Sequence, residues 1–309
     1  MRQTLFEIEQ SIFLNKNDNF KDDHVFIAGL ARSGTTTLLN SLYLSNQFAS
    51  LTYDDMPFIL SPNLWSKINY KKNTHKKLQE RMHGDSIKIS SNSPEAFEEV
   101  FWKTFGHDFE SCEDLYINFI SLILKKSEKN RYLSKNNQNI RRLNLINKTF
   151  PFSKILIPFR DPLQHAFSLY SQHMKFIKNQ TSDIFLRDYM KWIGHSEFGL
   201  DYKAIHTSNL KFPNEGELNH WLEQWFLCYE SVLESSRKYK NFYLIEYESL
   251  CKDQRVWTNL KDLLKIDKDF EFLFKESQKV ITEDFDSALA NKCYDLYNSL
   301  HVKSFPYCK

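Results

Sequence analysis

HVFIAGLARSGTTTLLNSLYL, residues 24–44, is the stretch on which the fold turns. His24 to Gly29 is a short apolar run with β-branched and aromatic residues, the pattern of a buried parallel strand. ARSG follows as a tight loop. TTTLLNSLYL then sets Leu38, Leu39, Leu42 and Tyr43 at helical spacing, so strand, loop and helix follow in the order that opens an α/β domain. Gly29 to Thr36, GLARSGTT, keeps the G-x-x-x-x-G spacing of a Walker A loop, but Thr35 stands where its lysine belongs. Backbone N–H groups and the positive end of the helix still favour an anion there. ATP hydrolysis loses the cation that reaches the β- and γ-phosphates. Arg32 supplies a guanidinium inside the loop instead, and Ser33, Thr35, Thr36 and Thr37 add hydroxyl donors around Gly34. The competing interpretation is an ordinary turn of small residues.

The same grammar recurs further on. KILIPFR, Lys154 to Arg160, reads as a strand, and DPLQHAFSLYSQHM begins a helix with Asp161 as N-cap and Pro162 at its first position. Pro158 cannot donate to a ladder, which places it near the strand's carboxyl end, where the chain is leaving the sheet. NFYLIE, Asn241 to Glu246, is a third strand. Before it, Asn214 and Glu217 suggest a capping box ahead of the stripe Leu218, Trp221, Leu222, Trp225, Tyr229, Val232 and Leu233, whose tryptophans are expected in the core. The expected fold is α/β, a three-layer sandwich around a central parallel sheet. With 309 residues, 41% of them hydrophobic, and no glycine-rich linker, a single domain over 1–309 is expected, with its core at about 24–250 and a helical C-terminal extension.

Charge narrows the partners. Lys plus Arg number 41 against 39 for Asp plus Glu, so nothing global attracts nucleic acid or a membrane, and anion binding must be local. MRQTLFEIEQSIFLNKNDNF interrupts its apolar residues too often for a signal peptide, and no window approaches the length of an integral membrane segment. Five scattered cysteines without CxxC spacing point to a reducing, cytoplasmic setting rather than to disulfides or zinc, and the dispersed histidines suggest no metal.

GLARSGTT resembles the 5′-phosphosulfate loop of sulfotransferases that use 3′-phosphoadenosine-5′-phosphosulfate (PAPS), commonly PKSGTT or PRSGTT, with Arg32 in the basic position as in tyrosylprotein and many bacterial members. The family's second signature is a strand ending in Arg, then Asp-Pro or Asp-Gly, then a helix carrying a serine eight residues after the arginine; FRDPLQHAFS supplies it. YLSKNN, Tyr132 to Asn137, and IEYESL, Ile245 to Leu250, resemble two further family segments, and HGDSI, SPEAFEEVFW, QHMKF and GHSEFG are similar to a bacterial group. No RKGxxGDW-like closing segment is present. The resemblance implies a P-loop nucleotide-hydrolase-like sulfotransferase fold, PAPS as donor and adenosine 3′,5′-bisphosphate (PAP) as product, with no metal required. It assigns the loop, Arg32 to Thr37, to the 5′-phosphate, Arg160 and Ser168 to the 3′-phosphate, Arg32 and Lys135 to the scissile bond as catalytic cations, and Tyr247 to the nucleotide site.

A hydroxyl acceptor needs a general base. LTYDDMPF offers Asp54 and Asp55; the resemblance favours Asp55, with His83 as the alternative. A carbohydrate is the favoured acceptor. The basic run Ser66 to Arg81 could attract an anionic one, although such runs are usually solvated faces. Two other functions share the phosphate loop: a small-molecule kinase, against which Thr35 speaks, and an inactive nucleotide-binding scaffold.

Overall fold

The structure, a computed structural model, describes residues 2–15, 22–69, 79–80, 88–106, 112–267, 270, 272, 274–276 and 278–307, with 79–80 and 88–89 as backbone only. His83 and most of the basic run 66–81 lie outside the described residues. In chain order the elements are α1 (Arg2–Phe13), β1 (Val25–Ile27), α2 (Thr35–Tyr43), α3 (Pro62–Ile68), β2 (Gln79–Glu80), β3 (Lys88–Ile89), α4 (Glu99–Phe105) and α5 (Glu113–Ser127). Then come β4 (Leu133–Lys135), α6 (Leu143–Thr149), β5 (Lys154–Phe159), α7 (Pro162–Ser182), α8 (Ile184–Ile193), α9 (Leu218–Lys238), β6 (Phe242–Glu246), α10 (Tyr247–Lys252), α11 (Gln254–Leu263) and α12 (Ser287–Val302).

Four strands form one all-parallel sheet in the order β4-β1-β5-β6. Alternation along each strand sends side chains to two cores. Phe26, Ile155, Ile157, Phe159 and Leu244 face one core, packed by α4, α5, α7, α9 and α12. Val25, Ile27, Leu133, Leu156 and Ile245 face the other, packed by α2, α10 and α11. Helices therefore cover both faces, the three-layer arrangement expected from the strand patterns. Trp221 and Trp225 are buried in the first core, and α12 contributes Ala290, Cys293, Leu296 and Leu300 to it.

One local feature differs from expectation, and a second, Pro158, lies near the carboxyl end of its strand as expected but still pairs with β6. Helix α9 starts at Leu218 with Glu217 as N-cap and no capping side chain; Asn214 spends its carbonyl oxygen on the Gly216 N–H and its amide on Glu217, closing a separate turn. Pro158 remains within β5, opposite Ile245. The ladder explains why it is tolerated. Lys154 donates to His24 and Leu156 accepts from Ala28, so even-numbered residues of β5 point toward β1. At 158 that neighbour has already turned into the phosphate loop, and no ladder bond is lost.

The chain steps from β1 outward to β4 in one direction, then to β5 and β6 in the other. Helix α2 follows β1 onto one face, whereas α7 follows β5 onto the opposite face. The two connections diverge and open a crevice at the carboxyl ends of β1 and β5, the position where open α/β sheets bind ligands.

Candidate functional site

Arg32 and Arg160 meet in that crevice. Arg160 immediately follows β5, is buried, and donates from Nη1 to the Arg32 carbonyl at 3.2 Å. Glu248 lies behind it, 3.7 Å from its Nε, and also accepts from the Asp161 N–H. Arg32 has a φ of 70°, a left-handed conformation disfavoured for a side-chain-bearing residue, and its Nε donates to Ser168 Oγ at 3.2 Å. Ser168 thus sits nearly two turns into α7 as a prop for Arg32.

A cavity of about 240 Å³ opens above these groups. Arg32, Gly34, Thr35, Thr36, Thr37, Lys135, Arg160 and Tyr247 all line it, so eight of the residues singled out in the sequence converge there. Ser33 does not. It is fully buried, and its hydroxyl donates to the Leu30 carbonyl, which makes it an internal tie of the loop rather than a ligand donor. Thr35 donates to Asn137, which follows Lys135 at the end of β4. Gly34 caps α2 at a φ of 93°, and a Cβ there would lie 2.2 Å from the Tyr247 ring. Only glycine satisfies both the backbone and the packing, and the cap leaves the first N–H groups of α2 without a capping side chain.

Beneath the loop lies His165, which sequence reasoning passed over. Its Nε2 donates to the Ala31 carbonyl at 2.8 Å, and burial, then Arg160 and Arg32, lowers its pKa to about 3. The C-terminal segment, also without a sequence signal, brings Lys275 to the cavity wall and accepts the Tyr247 hydroxyl at its carbonyl. Lys279 is held below its ordinary pKa by burial and then by Arg32 and Arg160. Four cations, Arg32, Lys135, Arg160 and Lys275, therefore line one cavity in a chain whose net charge is only +2. Such a field selects an anion.

The segment around SPEAFEEVFW supports the β4 end. Glu98 is buried and accepts from Trp102, Tyr132, Ser134 and Asn139; Glu99 grips Arg142 and Asn136. Lys135 and Asn137 are the cavity residues carried on this network. Glu98→Gln offers an N–H pair where donors converge. It is expected to lower unfolding stability by about 1–3 kcal/mol, measurable by urea titration.

Asp54 and Asp55 are not brought to this cavity. They line a second one, about 290 Å³, with Thr52, Trp65 and Lys126, and the two share no lining residue. Asp55 is 1% exposed, with one oxygen accepting from the Thr52 N–H and hydroxyl and the other 2.6 Å from Lys126 Nζ. Among the described residues no group of three or more His, Cys, Asp or Glu could hold a metal ion, and no helix is long and apolar enough to cross a membrane.

A family model described as the sulfotransferase family matches residues 24–264. No curated protein matches. Among solved structures, the chain is similar to sulfotransferase STF1 from Mycobacterium tuberculosis H37Rv at 14% identity and a TM-score of 0.48, covering 85% of this chain and 72% of that one. It is also similar to a sulfotransferase from Alicyclobacillus acidocaldarius at 15% identity and a TM-score of 0.45, covering 90% and 96%.

Proposed function

We propose a donor and a reaction from one premise: this chain belongs to the sulfotransferase family. The donor is PAPS and the reaction is transfer of its sulfuryl group to an acceptor hydroxyl, on a carbohydrate by preference. The observation that carries this reading is the convergence of Arg32 and Arg160, from two separate strand-to-helix junctions, on one cationic cavity. A single nucleotide phosphorylated at both ends fits two such positions.

In this reading the first N–H groups of α2 and the hydroxyls of Thr35, Thr36 and Thr37 hold the 5′-phosphate. Arg160 takes the 3′-phosphate, with Glu248 fixing its direction. Ser168 acts through Arg32. Arg32 and Lys135 neutralise charge on the leaving phosphate oxygen as the sulfur–oxygen bond lengthens. Tyr247 packs against Gly34 and under the Arg160 guanidinium, 5.7 Å from its ring, closing the floor between the two phosphates. None of the four described cysteines is in a disulfide, in keeping with the reducing, cytoplasmic setting that this reading takes.

PAP is expected to raise the melting temperature in the presence of EDTA, by an amount equivalent to about 2.7 kcal/mol at a hundredfold excess over its Kd. Radiolabelled PAPS should then pass its label to a component of a carbohydrate-rich extract. Magnesium-dependent ATP turnover without PAP binding would refute the reading. Arg160→Ala is expected to weaken PAP roughly 10- to 100-fold, the effect of losing a charged hydrogen-bond donor; isothermal titration measures it, and an unchanged Kd would remove Arg160 from the site.

A further inference from the structure

An acceptor hydroxyl is a weak nucleophile, and its proton must reach a base as the new bond forms. Both oxygens of Asp55 are already engaged, by Thr52 and by Lys126, in a different cavity. The donor cavity holds a carboxylate of its own. Glu197, in the turn between α8 and α9, lines it, and among the described residues it is the only acidic side chain that does. We propose that Glu197 is the general base for the acceptor hydroxyl, an assignment that rests on the sulfuryl-transfer reading above.

Three observations place it at the reacting end. Glu197 also lines a small apolar cavity together with Ala31 and Asn137, the first beside Arg32 and the second bonded to Thr35. It therefore belongs to the Lys135 side of the site rather than to the Arg160 side. The turn that carries it is fixed before any ligand arrives: His195 donates its N–H to Met190 and sets Nε2 against the Ala96 carbonyl, Ser196 accepts from Lys203, and Phe198 is buried against Phe176 and Trp221. Lastly, the carboxylate is half-buried rather than sealed in the core, and Lys103 acts on it electrostatically, a neighbour that favours its ionised, proton-accepting form. A carboxylate held on a rigid turn that lines the same cavity as Arg32 and Lys135 is placed as a positioned base would be.

The step balances without further reagents. The acceptor oxygen forms a bond to sulfur while its proton passes to a Glu197 oxygen. The bond from sulfur to the bridging oxygen breaks, and its electron pair stays on the 5′-phosphate of PAP beside Arg32 and Lys135. No atom changes oxidation state.

The test uses the full chain, radiolabelled PAPS and two nucleophiles that differ in one respect. Water must lose a proton, whereas 4-nitrophenol at about pH 9 has already lost its own. Glu197→Gln is expected to slow release of labelled sulfate to water by roughly 10²- to 10⁴-fold, while transfer to 4-nitrophenolate stays within about tenfold and stabilisation by PAP is unchanged. Glu197→Asp, which keeps a base, should retain part of the hydrolysis. Wild-type hydrolysis by Glu197→Gln, or an equal loss of both reactions or of PAP binding, would overturn the assignment and leave the donor reading standing. A wild-type chain that neither binds PAP nor turns over PAPS would overturn both.

Discussion

Replacing Arg32 by alanine is expected to lower sulfuryl-transfer turnover by roughly 10²- to 10³-fold, the cost of removing one preorganised donor from a developing oxyanion. Its side chain lines the cavity, and its Nε donates to Ser168 Oγ, which fixes the direction of the guanidinium. Arg32→Lys keeps the charge but not the planar fork, so it should recover only part of the loss. Strain adds a second signature. Arg32 holds a φ of 70°, a conformation glycine adopts freely. Arg32→Gly should therefore lose turnover as badly as the alanine variant while being more stable than it by about 1 kcal/mol. Steady-state kinetics and denaturant titration separate the two effects. If KM rises with turnover intact, Arg32 holds the nucleotide uniformly and does not act at the transition state.

How far the site could be read from the chain depends on how local each contact is. Strand, loop and helix are written in neighbouring residues, so residues 24–44 and 154–174 disclosed both junctions, and the cations ending them were found with the junctions. The family resemblance favours Asp55 by its spacing from the loop arginine; what decides its position is Lys126, brought in by α5 from 71 positions away. Glu197 was visible only as part of GHSEFG, because nothing within that turn reveals that β1 and β4 end beside it. Lys275 lies in a segment with no helical or strand period, and its placement follows from the Tyr247 hydroxyl at its carbonyl. The Asn214 cap failed for a related reason: an asparagine can satisfy a nearby turn as readily as a helix end, and here Gly216 won. His165 reads as one polar position on an amphipathic helix. Its role exists only because the loop from β1 crosses over α7.

That buried histidine carries the last expected result: stability should fall steadily as the pH is taken from 7 to 5. His165 and His24 are both buried, and burial is the main cause that lowers their folded pKa values to about 3 and about 4. For His24, Asp23 opposes the shift and Arg131 adds to it. In the unfolded chain each titrates near the ordinary value of 6.5. Between these limits the unfolded state binds more protons than the folded state. The stabilisation is therefore complete above pH 6.5 and is lost as the pH drops, at about 1.4 kcal/mol per unit for each histidine. By pH 5 the two together account for roughly 4 kcal/mol, a large share of an ordinary domain's stability. The contacts agree with the sign: His24 Nδ1 accepts from the Tyr132 N–H, a bond that protonation destroys, and a charged His165 would sit between two guanidiniums. Urea titrations at pH 5, 6 and 7 measure the slope. His165→Gln, whose amide can still donate to Ala31, should flatten it by one histidine's share. Equal stability at pH 5 and 7, or an unaltered slope in the variant, would show that these rings are not held neutral by the fold.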